Sequence, residues 1–173
     1  VAFSVGEEEL RGIDAKPLVG HLAAWNYFMS IDTPENKDFI KKWNAYVKKE
    51  KLPGGSKRVT NDPMEATYIG IKMWAQAAEQ AGTTNVDAVR QAIGGQTVQS
   101  PSGFKITMDA KNHHLHKPVV IGEIQENGQF DVVWKTDGPI RAQAWSPFIP
   151  DSKEKVADWT YPWVCGNCKK PKF

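Results

Sequence analysis

Around Gly94-Gly95 the hydrophobic period of this chain changes from helical to two. The step divides the sequence into a helical stretch and a later β-meander, because apolar residues at a spacing of three to four favour helices and strict alternation favours half-buried strands. Before it, Phe39, Ile40, Trp43, Tyr46 and Val47 fall on one helical face. Thr33-Pro34 opens that helix, with Thr33 as cap and Pro34 at the first helical position. A second helix is expected from Asp62, the cap candidate. Pro63 follows it, Glu65 completes a capping box, and Gly82 stops the helix. Its core face is expected to carry Met64, Tyr68, Ile71, Trp74, Ala75, Ala78 and Ala81. Val86 to Ile93 reads as a short third helix.

After the step, Phe104, Ile106 and Met108 alternate with polar residues, and Val119 to Gln125 reads as a strand. Asn127-Gly128 signals a two-residue hairpin into Phe130, Val132 and Trp134. Beyond Pro139 the chain is rich in Trp and Pro and reads as an irregular strap.

The opening stretch has a different character. Val1 to Val5 reads as a short strand that ends at Gly6, and Glu7-Glu8-Glu9 begins a helix whose positive end suits three acids. That is the strand-to-helix join where α/β proteins place ligands. Leu18 to Trp25 reads as a second strand, followed by a loop to Phe28. Strands of this kind are buried on both faces of a parallel sheet, yet the chain supplies few partners for them. The pattern is that of the tail half of an α/β protein. The start at Val1, straight into apolar residues, is expected of a chain that is processed or cut from something longer.

Composition excludes several classes. The 173 residues carry 22 basic and 20 acidic side chains, 24% charged and 40% hydrophobic, which excludes disorder and collagen-like repeats. No basic stripe marks a nucleic-acid footprint, so no nucleic-acid partner is expected. No apolar run approaches the roughly 18 residues of a membrane span. No Gly-x-Ser-x-Gly, Walker or Gly-x-Gly-x-x-Gly motif occurs, so neither an enzyme activity nor a cofactor is expected.

Two clusters invite a metal. His113, His114 and His116 could ligate zinc or nickel, but neighbouring imidazoles on an extended loop diverge, and a polar loop is the expectation. Cys165-Gly166-Asn167-Cys168 lacks the second half of a zinc ribbon and the helix of a thioredoxin-like site. A small-loop disulfide between Cys165 and Cys168 is the leading reading, with free thiols or an intermolecular partner open beside it.

A series of motifs runs in order along the chain: Phe3 to Leu10, Ser30 to Pro34, Asn61 to Ala66, Pro101-Ser102-Gly103, Asn112-His113-His114, Gly122-Glu123-Ile124, Gly128-Gln129-Phe130, Val133-Trp134 and Pro139-Ile140-Arg141. Together, over about residues 1–150, they resemble the substrate-binding proteins of urea and short-chain amide ABC transporters. These are type I periplasmic binding proteins, near the branched-chain amino acid binders. The resemblance implies an α/β fold of two lobes, each a three-layer αβα sandwich, of which this chain is the C-terminal portion. Residues 1–51 would end the second lobe's segment and 52–98 would return to the first lobe. Residues 99–150 would supply the last crossover strands, with 151–173 an irregular tail.

It further implies an extracytoplasmic or periplasmic receptor that is not an enzyme. Such a receptor holds urea or a small uncharged amide between its lobes and docks on a membrane permease. A cytoplasmic amide-sensing regulator on the same fold is the alternative. The implied cleft residues are Ser4, Val5, Gly6 and Glu7 at the strand end. Backbone groups and a carboxylate there can serve both the carbonyl and the N–H groups of an amide. Tyr27 would wall the same cleft or pack between elements.

Overall fold

Two apolar cores, each built against its own antiparallel sheet, organise residues 1–142 of the computed structural model, which describes residues 1–154. The first sheet has the order β1-β5-β6, from β1 (Leu22–Trp25), β5 (Val120–Ile124) and β6 (Phe130–Lys135). The second is the meander β2 (Thr97–Gln99), β3 (Lys105–Met108) and β4 (Leu115–His116).

The parallel sheet expected from the first strands is not formed. β1 pairs antiparallel with β5, Leu22 opposite Glu123 and Trp25 opposite Val120. Val1 to Val5 contributes one parallel bridge, Ala2 to Ala23, with its N–H on the Leu22 carbonyl at 2.8 Å. The pairing stops there because the Val5 carbonyl accepts the Trp25 indole N–H at 2.9 Å, which turns the chain into α1 (Glu7–Arg11). Before β1 a 3-10 turn occupies Lys16–Leu18, so the strand begins four residues later than expected.

The helix ends follow local chemistry. In α2 (Pro34–Lys49) the Thr33 hydroxyl accepts the Asn36 N–H at 3.1 Å and donates to the Pro101 carbonyl at 2.8 Å. One oxygen therefore caps a helix and ties it to the loop before β3. Thr33→Ala is expected to cost about 1–2 kcal/mol, read as a lower urea midpoint, with Thr33→Ser retaining most of the stability. An unchanged midpoint in the alanine variant would show that the cap is replaced by water. In α3 (Asp62–Ala81) the cap is Asn61, whose side chain accepts the Met64 N–H at 3.2 Å, one residue before the expected Asp62. Gly82 closes α3 in the left-handed region at φ 65°. Asn85 caps α4 (Val86–Ile93) through the N–H groups of Asp87 and Ala88.

The buried face of α3 differs from the expected one. Glu65, Ile69, Met73 and Ala77 face inward, while Ile71 and Trp74 are exposed. Ile69 and Met73 meet Val98, Ile106 and Met108 of the second sheet. A carboxylate on the inner face is tolerated because Ser100 and Lys117 satisfy it, a partnership that periodicity alone does not reveal.

The β5–β6 connection is a three-residue loop rather than a two-residue one. Gln125 N–H donates to the Gln129 carbonyl and Gly128 N–H to the Gln125 carbonyl, with Gly128 at φ 74°. That is a type I turn followed by a left-handed glycine. Along β6 the register shifts between Ile121 and Gly122, leaving Val133 as the extra residue. Phe130 is buried but Trp134, past the bulge, is half exposed, so the expected alternation ends at the bulge.

A second, smaller unit begins at Gln143; its described part holds one 3-10 turn at Ser152–Glu154. Cys165 and Cys168 lie outside the described residues. Among the described residues no helix is long and apolar enough to cross a membrane.

Candidate functional site

The strand-end residues take up separate positions. Ser4 is exposed, Val5 half-buried, and Gly6 and Glu7 are buried. The Gly6 N–H donates to Glu9 Oε2 at 2.8 Å and its carbonyl accepts from Leu10. The Val5 carbonyl is engaged too, by the Trp25 indole N–H.

Glu7 is different. Its side chain turns inward and accepts the Met29 N–H at 2.5 Å. Burial pushes its pKa from 4.5 up to about 7, against the lowering effect of that hydrogen bond, with Asp62 and Glu9 adding repulsion. Near neutral pH the group therefore exchanges between acceptor and donor. Glu8, one residue on, points outward and pairs with Arg11, which holds its carboxyl below the ordinary range.

Glu7 lines a cavity of about 560 Å³ together with Met29, Arg11, Lys57, Arg58 and Gln129. Its walls come from α1, from the segment after β1, from Ser56 to Val59, and from the β5–β6 loop. Arg58 is held by its Nε, which donates to the Pro53 carbonyl at 2.8 Å. The rim is mixed in charge, since Arg11, Lys16, Lys57 and Arg58 face Asp14 and Glu126.

Tyr27 is not among the residues that line this cavity. It is fully buried, with its ring edge-on to Phe39 at 6.2 Å. Asn36 Nδ2 donates to the carbonyls of Met29 and Ile31, which leaves Asn36 Oδ1 to accept the Tyr27 hydroxyl proton at 2.7 Å. Thr60 Oγ1, 2.8 Å away, is then the donor to the Tyr27 oxygen. Burial raises the Tyr27 pKa. Through Asn36 and Thr60, Tyr27 joins α2 to the segment entering α3.

Sequence reasoning missed Met29, Asn36, Thr60 and Lys117, whose roles depend on partners distant in the chain. The one local signal is Asn36, a polar residue one turn before Phe39 on the inner face of α2. The histidines do not converge. His116 Nε2 sits 3.1 Å from Asp109, His114 is exposed, and His113 has φ 56°. The Lys111 backbone N–H and His116 together hold the Asp109 carboxyl below its ordinary range. Among the described residues no three His, Cys, Asp or Glu side chains gather as a metal site.

Residues 1–151 match the periplasmic binding protein domain family. The chain belongs to this family. A protein named limonene hydroxylase from Geobacillus stearothermophilus is 34% identical over 148 residues, covering 85% of this chain and 26% of that protein. Solved structures share the fold. A substrate-binding protein of an amino acid ABC transporter from Pseudomonas fluorescens Pf-5 superposes with a TM-score of 0.61 at 21% identity, over 78% of this chain and 35% of its own. A leucine binding protein from Thermotoga maritima gives 0.56 at 21%, over 75% and 34%. A solute binding protein from Rhodopseudomonas palustris HaA2, solved with p-hydroxybenzoic acid, gives 0.55 at 22%, over 70% and 32%. The chain therefore has the α/β type I periplasmic binding protein fold, and it spans about a quarter to a third of the length of these relatives.

Proposed function

We propose that this periplasmic binding protein chain is the C-terminal portion of the solute receptor of an ABC importer, and that its solute is urea or a short-chain amide. The observation that carries the reading is Glu7: a buried carboxyl, pushed to about 7, at the first position of α1 on the wall of a 560 Å³ cavity. A carboxyl that exchanges between acceptor and donor near neutral pH suits a solute bearing both C=O and N–H groups.

In this reading residues 1–51 end one lobe, 52–98 return to the other, and 99–150 supply the final crossover. The second sheet packs with α3, so the chain passes between lobes at Lys117 to Val119. The solute favours the closed arrangement because only there does it touch both lobes, and closure presents the docking face to a membrane permease. The working compartment is extracytoplasmic.

Calorimetric titration with urea, acetamide, leucine and 4-hydroxybenzoate tests the reading. Heat on urea or acetamide alone is expected. Heat on leucine or 4-hydroxybenzoate alone would move the solute class to amino or aromatic acids. Silence with all four would sink the receptor reading.

A further inference from the structure

We propose that Lys117 is a positioning residue for the Glu7 cavity: it pins together the exit from β1, the entry to α3 and the link from β4 to β5, and so sets where two of the cavity's walls stand. The inference rests on the cavity being the solute site proposed above.

Lys117 lies between β4 and β5, with its side chain 9% exposed. Its Nζ is 2.7 Å from Glu65 Oε2 and 3.6 Å from Asp62 Oδ1. Glu65 is fully buried and also accepts the Ser100 hydroxyl. Asp62 Oδ1 in turn accepts the Asn26 N–H at 3.1 Å, and Asn26 Nδ2 donates to the Pro118 carbonyl at 2.7 Å. The ammonium thus joins the link from β4 to β5 to the entry of α3, and through Asp62 and Pro118 the exit from β1 is tied to both.

Two carboxylates facing one buried cation need further positive partners. The Asn26 N–H, the Ser100 hydroxyl and the positive end of the 20-residue α3 supply them. The arrangement is balanced only while Lys117 is present. Without it, Asp62 and Glu65 repel one another inside α3's first turn.

Neither Lys117 nor Asp62 lines the cavity, but two of its walls lead into this point. Met29 follows Asn26 by three residues. Ser56 to Val59 leads through Thr60 directly into Asp62. Releasing Asp62 loosens the Asn26 and Thr60 ends of these two segments, while Asn36 still holds the Met29 carbonyl and Pro53 still holds Arg58. Lys117 thus acts on the solute through the backbone it anchors.

Lys117→Met alone leaves the Asp62 and Glu65 carboxylates without their cation and lowers the melting temperature whatever its role. The double variant Lys117→Met/Glu65→Gln removes the more buried of the two charges and leaves Asp62 without its cation, so its melting temperature is expected to recover most of the loss while the Asp62 anchor stays released. Native-state hydrogen exchange then separates positioning from structure. In the double variant the Asn26 and Thr60 amides are expected to lose about tenfold or more of their protection, while Met108 and Ile124, in the sheets, keep theirs. Wild-type protection at Asn26 and Thr60 in that variant would overturn the proposal.

Titration supplies a second readout. The dissociation constant for urea or acetamide should rise about tenfold in the double variant, and an unchanged constant would also overturn it. If the wild-type protein binds neither solute, the receptor reading falls, and hydrogen exchange alone decides the role of Lys117.

Discussion

Phe130→Ala should lower the stability of this chain by about 3–5 kcal/mol. Phe130 is 1% exposed and stacks on Phe28, ring centroids 4.4 Å apart at 28°. The pair lies against Gly122 on β5, where a Cβ would stand 2.8 Å from Phe28 and 2.9 Å from Phe130. The glycine is what lets two rings fit over the strand, and it has no side chain to relax into a vacated space. The void left by Phe130 therefore persists, and the cost includes the lost packing of Phe28 as well as the lost burial. Urea unfolding at fixed pH reads the effect as a lower midpoint at unchanged slope. A loss below about 1 kcal/mol would mean that the first core collapses around the gap.

The second large effect is on pH dependence. Glu7 titrates at 4.5 when unfolded and at about 7 in the fold. Between those values the folded chain holds the proton more tightly, so folding is linked to proton uptake. Stability from this group is complete below pH 4.5, falls as pH rises through the window, and is lost above about pH 7. A displacement of this size corresponds to about 3 kcal/mol across the window. Glu7→Gln keeps an oxygen for the Met29 N–H and cannot ionise. The glutamine variant is therefore expected to match wild type near pH 4 and to exceed it by about 3 kcal/mol near pH 8. The difference between the two urea-midpoint curves isolates Glu7 from the other titrating groups. Parallel curves from pH 4 to 8 would show that the buried carboxyl keeps an ordinary affinity for its proton.

Both expectations show how far local sequence reaches. Thr33-Pro34 and Gly82 end their helices where their own chemistry dictates, since a capping hydroxyl and a left-handed glycine act within one turn. The strand at Val120 and the turn glycine Gly128 were legible for the same reason. The hairpin's length was not, because Gln125 and Gln129 pair across it and take one more residue into the loop.

The candidate site divides along the same line. Glu7 stood out because a strand end followed by glycine and an acid is a local pattern, and the ordered motifs pointed to the family that residues 1–151 match. Its proton affinity, by contrast, comes from burial against Met29, 22 residues away. The Val5 carbonyl and the Gly6 N–H and carbonyl are taken by Trp25, Glu9 and Leu10, partners that a strand-end pattern does not reveal.

The ends of the helices and the change from helical to alternating order could be read along the chain because each depends on residues within a turn or two of one another, and the class because its motifs keep their order over residues 1–151. Only the tertiary structure decided that β1 runs antiparallel beside β5, that α3 turns Glu65 inward instead of Trp74, and that Lys117 stands between Asp62 and Glu65. Those outcomes depend on which distant group can satisfy a buried charge or cover an apolar face, and that is settled when the two sheets pack.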